Sequence, residues 1–224
     1  MKFCLLLLSI CFFSLGNLSA QDAVSAADKE AAYTKTIHTR AEKIVSTLNI
    51  SDSAKAKQVI TVIADQYRNL NNIYNDRDSA VKLVRGKSEP KEVTEAELKK
   101  IESSTNEKIS SLHQTFLSKL TSLLSPDQVI KVKDGLTYNV VSVTYNAYVD
   151  MISSLKQEEK DQIMAWLVEA REYAMDGESS EKKHAWFGKY KGRINNYLSK
   201  QGYNVTEERK EWEKRKALSQ STSK

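Results

Sequence analysis

Apolar side chains in this chain fall at steps of three and four over long stretches, the spacing that gathers them on one face of a helix. The clearest stripe runs Ala56, Ile60, Ile63, Tyr67, Leu70, Tyr74, Val81 and Val84, interrupted only by the charged Arg77. It predicts a helix of about 50 Å at ~1.5 Å per residue. After the polar break RGKSEPKEV the period resumes at Leu98, Ile101, Thr105, Ile109, Leu112, Phe116, Leu120 and Leu123. Two helices of matched length joined by a short polar loop cover their stripes most simply as an antiparallel hairpin. Upstream, Ala27, Ala31, Thr34, Ile37, Ala41, Ile44 and Leu48 make a narrower stripe over residues 24–48, and Ser51 in NISD reads as the cap of the helix that follows.

The later elements are shorter. In LLSPDQVIKV, Ser125 caps, Pro126 takes the first helical position where its missing N–H is harmless, and Gln128 can close a capping box. That helix is expected to stop near Gly135. β-Branched and aromatic residues then crowd Leu136 to Tyr145, favouring a short extended segment near 136–143 before a helix over 144–152, with a continuous helix as the alternative. The next helix spans 157–175, with Ile163, Trp166, Leu167, Ala170, Tyr173 and Ala174 inward and Gly177 ending it. A last one is capped by Ser179 or Ser180 and stopped at Gly202. The reading is an all-α fold: a long antiparallel hairpin followed by a compact group of shorter helices over 125–202, in one helical domain of residues 21–205. Residues 206–224, TEERKEWEKRKALSQSTSK, carry too little apolar surface to offset ordering and are expected as a frayed or disordered charged tail.

The first twenty residues, MKFCLLLLSICFFSLGNLSA, combine one basic residue, an apolar run from Phe3 to Leu15 and a polar exit at Ala20, the layout of a secretory signal peptide. The run is too short for a membrane span, which takes about 20 residues. Export to the periplasm follows as an expectation, with no membrane span in the mature chain. Both cysteines, Cys4 and Cys11, fall inside this leader, which leaves the rest without a disulfide, a thiolate metal site or a cysteine nucleophile. A formal net charge of +5 is a mild basic excess. With no recognition motif beside it, nucleic acid is not an expected partner.

Candidate chemistry is sparse. There is no G-x-S-x-G and no glycine-rich phosphate loop, and His38, His113 and His184 are scattered without metal-ligand spacing, so they read as surface or boundary residues. No metal and no cofactor is expected. Glu169, Glu172 and Asp176 line one face of the helix 157–175 near Trp166 and Tyr173. Carboxylates beside aromatics suit glycoside cleavage, which makes Glu169 or Glu172, with Tyr145 or Tyr148, the weak catalytic candidates. An acidic row on an exposed helix face serves equally as solvated surface, here able to pair with Lys189 and Arg193.

The segment HAWFGKYKGRINNYL, residues 184–198, concentrates aromatics, cations and glycine. At ~100° per residue Phe187, Tyr190, Ile194 and Leu198 share the core face. Trp186 and Tyr197 fall at its edge, next to Lys189, Arg193 and Lys200, while Gly188 and Gly192 lie on a different face. A flat aromatic edge beside cations suits a sugar ring that carries a carboxylate. Trp186 and Tyr197 are therefore the candidate stacking residues, Lys189 and Arg193 the candidate acid-binding groups, and an acidic oligosaccharide the candidate partner.

Residues 134–151 (DGLTYNVVSVTYNAYVDM) and 155–205 (LKQEEKDQIMAWLVEAREYAMDGESSEKKHAWFGKYKGRINNYLSKQGYNV) resemble an uncharacterised domain-of-unknown-function family of secreted Bacteroidota proteins. LNISDSAKAKQVITVIADQYRNLN is similar to that family's opening helices, so the resemblance covers nearly the whole chain after the leader. Members are often encoded near polysaccharide-degrading enzymes. The resemblance thus implies an accessory or binding role in glycan utilisation, with a carbohydrate-active hydrolase or lyase as the alternative, and it carries no catalytic residue over. LSPDQ, residues 124–128, is similar to the L-T-x-x-Q motif of small periplasmic helical chaperones, a further alternative whose client surface would be the inner face of the hairpin.

Overall fold

The computed structural model describes residues 17–222. The leader read at residues 1–20 therefore lies outside the described residues as far as position 16. Every regular element among the described residues is a helix: α1 (Asn17–Val45), α2 (Ser53–Arg85), α3 (Lys91–Leu123), α4 (Pro126–Leu136), α5 (Val140–Met151), α6 (Gln157–Ala174), α7 (Ser180–Lys200) and α8 (Val205–Thr222). The fold is all-α.

Helices α2 and α3 pack along each other, with Gln58, Thr61 and Val62 near the start of α2 beside Lys119, Ser122 and Leu123 at the end of α3. The run is therefore antiparallel. At the turn, Lys87 pairs with Glu97 at 3.2 Å. The inner ends of this hairpin join α1 and α4 in one apolar core around Ile37, Ile63, Phe116, Leu120 and Val132. A second core, around Ile152, Ile163, Leu167, Phe187, Ile194 and Leu198, holds α5 to α8 together. Met175, at the end of α6, is the residue that reaches from the second group into the first core.

Caps set these boundaries. Asp52, not Ser51, starts α2, its carboxylate accepting from the N–H groups of Ala54 at 2.8 Å and Lys55 at 3.2 Å. Ser125 and Gln128 close the capping box of α4, and the Gln128 amide also donates to the Leu48 carbonyl at 2.9 Å, tying α4 to the end of α1. Ser179 accepts from Lys182 N–H and caps α7.

A further expectation is corrected. The extended segment near 136–143 is absent: the chain reverses at Tyr138 and Asn139, both left-handed with φ of 58° and 59°, and α5 starts at Val140. Local β preference gives way because helical spacing puts Val141, Tyr148 and Met151 into the second core, a packing gain that propensity does not count. α4 stops at Leu136, next to Gly135 as expected, with Gly135 in its last turn. A Cβ there would meet Ile44 Cγ1 at 2.8 Å, so glycine permits the close crossing of α4 over α1. The charged segment expected as a frayed helix or a disordered tail forms helix α8 as far as Thr222. Its Trp212 indole N–H donates to Asp150 at 2.5 Å, and the Arg215 guanidinium donates to the carbonyls of Asp150 and Met151 at 3.1 Å. A cation on the last carbonyls of α5 satisfies acceptors that a helix end leaves open.

Candidate functional site

Between the two apolar cores runs a seam held almost wholly by polar side chains. The last turn of α6 and its cap, Arg171 to Asp176, supply one side. Ala174 and Met175 are buried there, which turns Arg171, Glu172 and Asp176 toward α2, α3 and α4. Arg171 pairs with Asp134 at 2.7 Å, and Lys133 with Glu172 at 2.7 Å. From α2, Gln66 donates to one Asp176 oxygen at 3.2 Å and the Tyr74 hydroxyl to the Asp176 carbonyl at 2.6 Å. From α3, His113 Nδ1 meets the other Asp176 oxygen at 2.6 Å.

That last contact raises the His113 pKa above its ordinary value; the Asp176 hydrogen bond is the main cause, opposed by partial burial and aided by the charges of Asp176 and Glu172. A raised folded pKa means that the stabilisation is full below the ordinary value of 6.5 and fades as pH climbs through the higher folded value. With Nδ1 fixed on the carboxylate, Nε2 is left toward Glu172, whose oxygen stands 3.9 Å away, beyond hydrogen-bond reach.

This His113–Asp176–Glu172 floor lies under a pocket of about 560 Å³ whose walls are Trp186, Tyr173, Tyr74 and Ile109, with Asn106 and Ser110 at its α3 side. The volume is that of a small-ligand site. Trp186 and Tyr173 stack at 4.7 Å and 18°, and Lys189 lies over the Trp186 ring at 5.2 Å. Tyr74 is pushed up to about 12 by burial and by the nearby Glu178 and Asp176 carboxylates, so it remains a donor at neutral pH.

A second concavity of about 550 Å³ lies farther along α7, lined by Trp166, Lys189, Arg193, Asn196, Tyr197 and Lys200. Arg193 stacks over Trp166 at 4.5 Å and pairs with Glu169 at 3.4 Å, while Tyr197 meets Trp166 edge to face at 5.2 Å. The four residues read as ligand-binding therefore divide: Trp186 walls the His113 pocket, and Arg193 and Tyr197 belong to the groove. Lys189 lines the groove, with its ammonium over the Trp186 ring. Nothing approaches a Cβ built at Gly188 or Gly192, so neither glycine serves a close helix crossing.

The carboxylate and tyrosine candidates also separate. Glu172 faces the pocket, and Glu169 lies at the groove with Arg193. Tyr148 is 5 % exposed and donates to Asn195 Oδ1 at 2.7 Å, its pKa pushed up to about 12 by burial, and Tyr145 packs against the second core. Neither tyrosine lines the pocket that Glu172 faces. Tyr173, expected inward, is 50 % exposed at the pocket, and Asp176, expected on a solvated face, is 8 % exposed. Sequence reasoning missed His113 and Asp176. The available signal was an aspartate at the C-terminal end of a helix, where the dipole disfavours an anion unless a cation or donor faces it.

Beside the pocket, Lys183 is buried, its ammonium donating to the carbonyls of Leu136 at 2.9 Å and Met175 at 3.2 Å and lying 5.6 Å from the Tyr67 ring. Burial lowers its pKa from 10.5 to about 8. Between those values the unfolded chain binds more protons than the folded one, so this group makes stability rise with pH from 8 to 10.5. The difference in unfolding free energy between the parent and Lys183→Met is expected to grow in the parent's favour by about 3 kcal/mol over that window. Urea unfolding at several pH values reads it, and a flat difference would mean that Lys183 keeps an ordinary pKa.

Among the described residues no group of His, Cys, Asp and Glu is placed to hold a metal ion, and no helix is long and apolar enough to cross a membrane. The model of a family described as Protein of unknown function (DUF3826) matches residues 34–217. A search of curated proteins finds no match.

Proposed function

The chain belongs to the DUF3826 family, and we propose that it is an exported glycan-binding accessory protein, without catalytic activity of its own, whose ring-binding site is the Trp186 pocket. The observation that carries this reading is the juxtaposition of an aromatic wall, Trp186 and Tyr173, with the hydrogen-bonding floor of His113, Asp176 and Glu172. A sugar ring has apolar C–H faces and a rim of hydroxyls. Aromatic surface covers the first, and the carboxylates together with the His113 imidazole, whose Nε2 accepts when neutral and donates when protonated, meet the second. Lys189 and Arg193, next along α7, supply the charge that an acidic oligosaccharide needs.

The second reading is a hydrolase or lyase, favoured by one observation: His113 Nε2 and Glu172 face each other in the same pocket at 3.9 Å. Calorimetric titration of residues 21–224 with neutral and uronic-acid oligosaccharides, followed by product analysis of the same samples, separates the two. Saturable heat without cleavage products, lost in Trp186→Ala, is the expected result. Products would establish an enzyme, and a folded protein that gives no heat with any glycan would overturn both.

A further inference from the structure

Resting on that binding reading, we propose that the ligand is a mixed oligosaccharide: an uncharged ring enters the His113 pocket, and a carboxylate-bearing ring follows it in the α7 groove. The two concavities are close to equal in size but opposite in charge balance.

In the pocket each cation already has its anion. His113 is held by Asp176 at 2.6 Å and Lys133 by Glu172 at 2.7 Å. A uronate entering here would lose water and meet two carboxylates with no cation left over, an arrangement that costs free energy from desolvation and from like charge. The polar atoms that remain for a ligand are the Glu172 carboxylate, His113 Nε2 and the Asn106 and Ser110 side chains, all suited to hydroxyl groups.

In the groove the balance is reversed. Lys189, Arg193 and Lys200 stand against one carboxylate, Glu169, which Arg193 already contacts at 3.4 Å. Among the described residues neither Lys189 nor Lys200 makes an ion pair, and Trp166 and Tyr197 supply aromatic surface between the cations. Lys189, over the Trp186 ring and lining the groove, joins the two sites. From Trp186 to Tyr197 the helix advances about 16 Å at ~1.5 Å per residue, a length for a short oligosaccharide rather than one ring.

The test is calorimetric titration with four probes: a galacturonic-acid tetramer, a neutral glucan tetramer, and two alternating uronate and neutral-sugar tetramers, one from hyaluronan and one from rhamnogalacturonan. At least one alternating tetramer is expected to bind at least about tenfold more tightly than either uniform one, and the double variant Lys189→Gln, Lys200→Gln to remove about that factor and flatten the salt dependence. If the galacturonic-acid tetramer binds as tightly as the alternating ones, the division of charge is wrong while the glycan-binding reading stands. If no probe binds the folded protein, both fail together.

Discussion

Phe187→Ala is expected to lower stability by about 3–5 kcal/mol, whereas Trp186→Ala, one residue earlier, lowers it by about 1 kcal/mol and abolishes saccharide binding. Phe187 is 1 % exposed and surrounded by the second core with Ile163, Leu167, Ile194 and Leu198, so truncation leaves a cavity that rigid helices cannot close. Trp186 is half-buried, packing on the edge of the second core, against the Tyr173 ring and beneath the Lys189 side chain. Losing them sacrifices one stacked pair and some boundary packing. Urea unfolding and calorimetry on the two variants read both effects. Equal destabilisation by the two substitutions would make Trp186 a core residue and remove the wall of the pocket.

Asp134→Ala is the second large effect, expected to destabilise by about 3–5 kcal/mol because it leaves a charge behind in the seam. The Arg171 side chain is 6 % exposed and its firm partner is Asp134 at 2.7 Å; its contact with Glu172 is 3.5 Å, and its Nε is buried without a hydrogen-bond partner. Removing the anion strands the guanidinium. Removing both charges together, in Asp134→Leu with Arg171→Met, is expected to restore most of the loss, since an apolar pair of similar volume suits the same place. A double variant as unstable as Asp134→Ala would mean that the pair contributes through something other than mutual neutralisation.

How far the sequence foretells this molecule depends on how local the determining contacts are. The long helices α2 and α3 are legible because a single apolar stripe repeats over many turns, and Ser125 with Gln128 announces α4 because a capping box is a contact between near neighbours. The stretch after Gly135 is not legible in the same way: its valines and threonine favour extended chain, and only packing of Val141, Tyr148 and Met151 against α6 and α7 overrides them. The docking of helix α8 is not legible for a similar reason, as Trp212 and Arg215 find their partners at Asp150 and Met151, far back in the chain. At the site, the wheel placed Trp186 at a core edge, which is where the pocket opens. His113 on α3 and Asp176 just past the end of α6 are distant in sequence; the helix-end position of Asp176 calls for a facing donor, but only the tertiary fold decides which residue supplies it.

On the proposed reading a sugar ring seats between Trp186 and the His113 floor. The measurement that addresses it most directly is an NMR titration with the alternating tetramers, following the Trp186, Trp166 and Trp212 indole signals and the His113 imidazole nitrogens. Saturable shifts are expected at Trp186 and at His113 Nε2, with smaller ones at Trp166 in the groove and none at Trp212 on α8. Saturable binding that leaves Trp186 and His113 unmoved would contradict it.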